Sequence, residues 1–180
     1  MLAAKTLATL IGDKGKVMVL GATPGISTTD ARQQGFETEI KNHPGIVYLG
    51  AQFSQSSPAT ATGKFSAVLA SNADLAGVFA VSTQEVEGVA TGVQNASAAG
   101  KVKVVGFDTS DPIIDDIKNG VVQSEIVQEP SEIGKQAVDQ ALAALGGKPT
   151  TAAIATPYVV LTKDTMTQPD IAKYIYKTSC

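Results

Sequence analysis

The sequence contains few of the residues that metal sites, disulfides and thiol chemistry require. Among 180 residues there is one histidine, one cysteine and no tryptophan. One histidine and one cysteine cannot assemble a zinc site, and a lone cysteine forms no internal disulfide. Cys180 is the last residue printed, and a cysteine there is more often incidental than a nucleophile. We therefore expect no metal.

Strong charge and long apolar runs are also missing. The chain has 14 Lys and Arg against 17 Asp and Glu, a net charge of -3, and no basic cluster. This balance lacks the electrostatic footprint of a nucleic-acid binder, so we expect no nucleic-acid partner. No apolar run reaches the length of a membrane span, and we expect no signal peptide in this chain because no charged-then-apolar N-terminus is present.

Nucleotide and catalytic motifs are absent as well. The loop at residues 21–27 (GATPGIS) lacks the Gly-Lys-Ser/Thr ending of a phosphate-binding loop, and no G-x-G-x-x-G follows a strand. His43 lies in a His-Pro-Gly turn, where a solvated histidine is the simplest interpretation. The acidic pair Asp115-Asp116 reads as solvated helix surface. We expect no cofactor and no enzymatic activity.

What the sequence does contain is a regular alternation of apolar strands and amphipathic helices. Strands begin near residues 16, 46, 77 and 102, roughly the 30-residue spacing of a strand-helix-strand unit. The predicted strands are 16–20, 46–53, 77–81, one at 102 and 121–127, and the helices are 2–11, 27–42, one around 65–69, 84–99, 112–118 and 131–145. This pattern predicts an α/β fold, a three-layer α/β/α sandwich with a mainly parallel sheet.

The pattern weakens after residue 150. Residues 152–162 are typical of one or two short extended segments broken by Pro157, and residues 163–180 carry mixed signals that assign no element. Near the start, Ser27 or Thr28 is expected to cap the second helix, with Asp30 completing a capping box.

Asp108 is the strongest candidate for a functional residue. It follows the β-branched run VKVVGF, which predicts a buried strand that delivers the carboxylate to the loop at its C-terminal end. Ligands of open parallel sheets bind at that edge. The alternative is that Asp108 merely caps the next helix, because Asp is a favoured N-cap residue.

The other predicted strands also end in polar residues. The candidates at this edge are Thr23, Arg32, Gln55, Ser82, Asp108 and Gln128. A sugar hydroxyl both donates and accepts hydrogen bonds, so an aspartate acceptor beside an arginine donor suits a neutral, hydroxyl-rich small molecule. The competing explanation is that loops above any parallel sheet are exposed and therefore polar.

Four stretches carry a family resemblance when read in order. They are LATLIGDKGKVMVLGATPGISTTDARQQGF, NADLAGVFA, GKVKVVGFDTSDPIIDDIKNG and IVQEPSEIGKQAVDQALAAL. Together they resemble the C-terminal half of a type I periplasmic sugar-binding protein of the ribose-binding class. The resemblance implies one α/β lobe of a two-lobe fold, with a sugar held between the lobes, and a role as the solute receptor of an ABC importer.

The resemblance also implies roles for individual residues. Arg32 in TTDARQQGF matches the family's ligand-binding arginine, Asp108 in VVGFD its hydroxyl-binding aspartate, and Gln128 in IVQEP its hinge glutamine. Two positions depart from the pattern. Gln55 or a neighbour stands where a ring-stacking aromatic is frequent, and Ser82-Thr83 stands where Asn-Asp is usual, which leaves the identity of the sugar open.

The first lobe of the family has no counterpart in the sequence. We expect residues 1–128 to form the ligand-binding lobe, and residues 129–180 to supply a helix and strand that pack on the missing lobe, plus a tail. That segment must dock on its own sheet, bind a partner chain, or expose apolar surface. Leu142 and Leu145 would contribute to an exposed patch that favours association, including a homodimer.

These observations order three functions. The first is a carbohydrate-binding lobe or fragment of an ABC importer, working with a membrane permease in the periplasm or outside the cell, as the resemblance implies. The second is the effector-sensing domain of a LacI-like transcription regulator, which shares the fold. The third is a small α/β enzyme or phosphoacceptor domain, which would need a second carboxylate after the first strand that residues 21–23 lack.

Overall fold

The structure is a computed structural model that describes residues 1–176. Cys180 lies outside the described residues. In chain order the elements are α1 (Leu2–Leu10), β1 (Gly15–Gly21), α2 (Ser27–Ile40), β2 (Ile46–Phe53), α3 (Pro58–Ser71), β3 (Leu75–Ala80), α4 (Thr83–Asn95), β4 (Lys103–Phe107), α5 (Asp111–Lys118), β5 (Ser124–Gln128), α6 (Pro130–Leu145), β6 (Tyr158–Thr162) and α7 (Pro169–Ala172). Within residues 1–176, none of the helices combines the length and apolar character needed to cross a bilayer.

The strands form one sheet of six strands in the order β2-β1-β3-β4-β5-β6. The first five run parallel, and only β6 pairs antiparallel, along β5. The predicted mainly parallel sheet is therefore confirmed. The C-terminal ends of β1 to β5 lie along one edge, so the loops that follow them are neighbours.

Both faces of the sheet are covered by helices, which confirms the three-layer prediction. Successive residues of a strand point to opposite faces, so Met18 and Leu20 face α3, α4 and α5, whereas Val17 and Val19 face α1 and α2. On the second face the ring of Phe36 from α2 stacks on a phenylalanine of β3, with 5.2 Å between ring centroids. Burial on both faces explains why the strands read as continuous apolar runs.

The start of α2 differs from the predicted capping box. The helix begins at Ser27 with Ile26 as its N-cap residue, and no side chain caps it. Asp30 instead accepts a hydrogen bond from the backbone N–H of Gly25 at 2.9 Å, which closes the loop before the helix. The carboxylate thus serves the turn rather than the helix end.

The fifth strand is shorter than the predicted 121–127. The N–H groups of Val121 and Val122 both donate to the Asp116 carbonyl, at 2.9 and 3.3 Å, and so complete the end of α5. Gly120 takes the left-handed conformation that this helix ending requires, with φ of 74°. Apolar β-branched residues read as strand here, but hydrogen bonds to the helix end claim their backbone.

The C-terminal third contains two findings that the sequence did not resolve. No residue of α6 is buried, and Leu142 and Leu145 are 62% and 86% exposed, so the apolar patch is present. The strand after α6, expected on the missing lobe, instead joins this chain's own sheet as β6, where Leu161 enters the core. Backbone pairing along β5 satisfies groups that would otherwise form an open sheet edge.

Candidate ligand-binding site

Asp108 lies directly after β4, at the sheet edge where the parallel strands end. Its backbone is in the left-handed region, with φ of 71°, and its N–H donates to the carbonyl of Ile126 at 2.9 Å. The cap of α5 is Ser110, whose hydroxyl accepts from the N–H of Ile113 at 3.5 Å. The alternative that Asp108 caps the next helix is therefore wrong, and its side chain is available for another role.

Arg32 reaches this carboxylate from α2, across the top of the sheet. Its Nη1 donates to the carbonyl of Val81, just after β3, at 2.9 Å. Its guanidinium lies over the Phe107 ring, with Cζ 3.6 Å from the centroid, a cation–π arrangement. Its Nη2 is 3.6 Å from Oδ2 of Asp108. Three contacts on three elements hold the guanidinium plane in one orientation.

Gln128 approaches Asp108 from the neighbouring strand. It ends β5, and its Nε2 donates to Oδ1 of Asp108 at 3.1 Å. The three residues that the resemblance assigned to the ligand thus lie in mutual contact, although they come from α2, the loop after β4, and β5. Arg32 and Asp108 are 17% and 16% exposed at their side chains, so the pair is shielded yet reachable from the rim.

Tyr176 is a fourth member of this cluster that sequence reasoning missed. Its hydroxyl donates to Oδ1 of Asp108, and its backbone N–H donates to the hydroxyl of Thr109 at 3.3 Å. It belongs to the segment that the sequence left without an element. No local pattern could have placed it, because 68 residues separate Tyr176 from Asp108.

Burial sets the charge balance of the cluster. Desolvation lowers the pKa of Arg32, and the nearby negative charge of Asp108 opposes that shift. Burial also raises the pKa of the Tyr176 phenol above its ordinary value, and the hydrogen bond to Asp108 raises it further. At neutral pH the phenol is therefore a proton donor and the guanidinium a cation.

Ser82 is engaged differently from the prediction. Its hydroxyl donates to the carboxylate of Glu85, which also accepts from the Ser54 hydroxyl, and Glu85 and Ser54 are fully buried. Two hydroxyl donors satisfy a carboxylate that would otherwise be costly to bury. The Ser82 hydroxyl is thus occupied within the protein, and a ligand contact would have to share it.

Gln55 and Thr23 lie on the loops after β2 and β1, as expected. Gln55 is exposed, with φ of 56°, and its backbone N–H donates to the carbonyl of Ala22 at 3.1 Å. Thr23 is half-buried. Neither side chain forms a hydrogen bond within the described part of the chain, so both remain free to contact a ligand.

Glu125 is an unexpected buried acid beneath the cluster. It is 0% exposed, and neither carboxyl oxygen has a hydrogen-bond partner among residues 1–176. A Cβ on Gly106 of the adjacent strand would collide with this carboxyl and with Val86, so only glycine leaves room for it. Burial raises the pKa of Glu125 well above its usual range, and the charge of Asp108 adds to the effect.

In the described residues 1–176, no group of three or more His, Cys, Asp or Glu side chains is arranged to hold a metal ion. The candidate cluster instead combines one carboxylate, one guanidinium, one amide and one phenol. These groups donate and accept hydrogen bonds at fixed positions, which is the chemistry that recognises neutral hydroxyl groups.

Similar proteins bind sugars through ABC importers, according to their descriptions. A solute-binding protein of an ABC transporter from Agrobacterium vitis, solved with α-D-tagatopyranose, is 43% identical, with a TM-score of 0.95 over 98% of this chain and 59% of that one. A carbohydrate transporter solute-binding protein from Agrobacterium radiobacter, solved with D-arabinose, is 28% identical, with a TM-score of 0.92 over 97% of this chain and 61% of that one.

A curated relative extends the same similarity. The ribose import binding protein RbsB of Haemophilus influenzae is 29% identical over 164 residues, which is 90% of this chain and 54% of that protein. The chain therefore spans about half the length of the curated relatives that it matches. Residues 1–149 match the family described as periplasmic binding protein domain. The chain belongs to the periplasmic binding protein domain family.

Proposed function

We propose that this chain is the sugar-binding lobe of a solute receptor that serves an ABC importer. The observation that carries the proposal is the contact cluster of Arg32, Asp108 and Gln128 at the C-terminal edge of the sheet. Support also comes from related structures, whose descriptions name tagatopyranose and arabinose as bound sugars. The receptor would act by binding alone, without catalysis, and would deliver its sugar to a membrane permease outside the cytoplasm.

Each residue of the cluster has a defined part in the proposal. Asp108 accepts hydrogen bonds from sugar hydroxyls, and Arg32 donates to hydroxyl or ring oxygens with an orientation that its existing contacts hold. Gln128 offers an amide beside them. Thr23, Gln55 and Ser82 would supply outer contacts, of which Ser82 is shared with Glu85. A regulator of the LacI type is the weaker candidate, because the matched relatives are described as import binding proteins.

A single lobe encloses a ligand only partly, whereas tight small-molecule sites bury most of the ligand surface. We therefore expect weak sugar binding by this chain alone. The test is isothermal titration calorimetry with pentoses, hexoses and inositols. Replacing Asp108 with Ala removes charge-assisted hydrogen bonds of about 1.5–3 kcal/mol, so affinity should fall about tenfold or more.

The matched control is His43→Ala. His43 contacts Asp13 at 2.6 Å, in the loop that precedes β2 at the opposite edge of the sheet. This variant should bind like the unaltered chain, and a clear loss would place the site elsewhere. Failure of the unaltered chain to bind any sugar in the panel would contradict the proposed function.

We also propose that the apolar face of α6 associates with a second copy of the chain. Val138, Leu142 and Leu145 fall at helical spacing and are exposed, although α6 buries no residue of its own against the sheet. Contiguous exposed apolar surface of this kind favours association. Light scattering should give a dimeric mass, and the double variant Leu142→Glu, Leu145→Glu should give a monomer. A monomeric unaltered chain would refute the interface.

A further inference from the structure

The C-terminal segment of the described chain, residues 173–176, lies along the rim of the candidate site. Lys173 pairs with Glu129 at 3.6 Å. Tyr174 is 6% exposed and belongs to the larger core cluster, against which Tyr176 also packs. Tyr176 then ends this path with its hydroxyl on Asp108. The segment is therefore held at several points, and Tyr176 is carried to the cluster by packing.

The phenol meets the same groups that a sugar hydroxyl would meet. Its hydroxyl donates to the Asp108 carboxylate. The Gln128 amide and the positive charge of Arg32 both act to lower the pKa of the phenol, so both lie near its oxygen. A hydroxyl placed among a carboxylate acceptor, an amide and a guanidinium matches the hydrogen-bonding pattern of one sugar hydroxyl.

The acceptor capacity of Asp108 is limited on this side. Oδ1 already receives two donors, Tyr176 and Gln128, which fill its two lone-pair directions. Oδ2 faces only the Arg32 guanidinium, at 3.6 Å. A sugar hydroxyl that binds Oδ1 must therefore take the place of an existing donor, and the phenol is the one held by a side chain from outside the sheet.

We propose that the Tyr176 hydroxyl occupies one hydroxyl position of the sugar site in the ligand-free chain, and that a sugar binds by displacing it. The inference rests on the proposed function. Tyr176 is then an internal competitor that lowers apparent affinity by the fraction of chains in which it is docked. It also sets specificity, because a sugar lacking the matching hydroxyl gains less from displacing it.

The structure leaves room for this displacement. Next to Tyr176 lies a cleft of about 470 Å³, lined by Pro130, Ser131, Lys173, Ile175 and Tyr176. Tyr174 is anchored in the core, so only the chain beyond it needs to move. The Lys173–Glu129 pair has one partner more than half exposed and resists such a motion little.

The test is the affinity of the unaltered chain and of Tyr176→Phe for D-tagatose and D-arabinose, measured by calorimetry. Loss of one hydrogen bond to a charged group should make Tyr176→Phe bind about tenfold more tightly. A chain ending at Ile175 should bind at least as tightly. Tyr174→Phe is the matched control, because it removes a hydroxyl from the same segment, one that bonds to no residue in 1–176.

The sign of the change decides between displacement and support. Tighter binding by Tyr176→Phe, with Tyr174→Phe unchanged, supports displacement, as does binding by the variant where the unaltered chain shows none. Equal or weaker binding by Tyr176→Phe overturns displacement and leaves the proposed function standing. No binding by the unaltered chain or by either variant overturns the proposed function, and the inference falls with it.

Hydrogen exchange gives a second readout that a merely structural role would not move. The Tyr176 N–H donates to Thr109 and should exchange slowly in the ligand-free chain. Adding D-tagatose should speed its exchange if the segment is displaced. Slower exchange on adding the sugar would mean that the segment closes over the ligand, and it would overturn the inference.

Discussion

Replacing Glu125 with Gln should change how the stability of this protein depends on pH. The carboxyl is fully buried and has no hydrogen-bond partner among the described residues, so desolvation raises its pKa well above the usual range. The folded chain therefore holds a proton on Glu125 at pH values where the unfolded chain, with a glutamate pKa of about 4.3, has released it.

The direction follows from proton counting. Above about pH 4.3 the unfolded state binds fewer protons at this position than the folded state, so stability falls as pH rises. The slope for one proton is about 1.4 kcal/mol per pH unit, which gives about 3 kcal/mol between pH 5 and pH 7. That is a substantial part of the 5–15 kcal/mol by which domains are usually stable.

Gln keeps the size of the side chain and is neutral in both states, so this contribution disappears in the variant. The assay is urea unfolding followed by circular dichroism at pH 5, 6 and 7. The free energy of unfolding of Glu125→Gln minus that of the unaltered chain should grow with pH by about 1.4 kcal/mol per unit. Subtraction cancels all other titrating groups.

The control is Asp115→Asn, which removes a carboxylate that pairs with Lys118 at 2.7 Å on the exposed surface of α5. Its stability difference should stay nearly constant across the same pH range, because exposed ion pairs contribute little. A pH-independent difference for Glu125→Gln would refute the reasoning. It would mean that Glu125 is ionised when buried, or that water reaches it.

Two further changes test the core around the site. Ser54→Ala removes one of two donors to the buried Glu85 carboxylate and should lower the free energy of unfolding by about 1–3 kcal/mol, whereas a loss below 0.5 kcal/mol would mean that water replaces the hydroxyl. Phe65→Ala empties a fully buried position between α3 and the sheet and should cost about 3–5 kcal/mol in urea unfolding; a smaller loss would show that α3 collapses into the space.

Part of the site was predictable because a strand and the residue that follows it are local features. The apolar run before Asp108 placed it at the end of a strand, and the structure places it there. Arg32 and Gln128 were assigned by family resemblance, and the structure brings both to Asp108. The ligand roles of all three remain predictions. Ser82 was predicted as a ligand contact, but its hydroxyl is bound to Glu85, a partner that no local pattern reveals.

The sequence by itself determined the alternation of strands and helices, because side-chain periodicity depends on residues only a few positions apart. The tertiary structure decided which distant groups meet. Arg32 finds the Val81 carbonyl 49 residues away, and Tyr176 finds Asp108 across 68 residues. Neither contact has a periodic signature, since both depend on where the sheet order returns the chain. The buried state of Glu125 has the same origin, because it requires a glycine on the neighbouring strand.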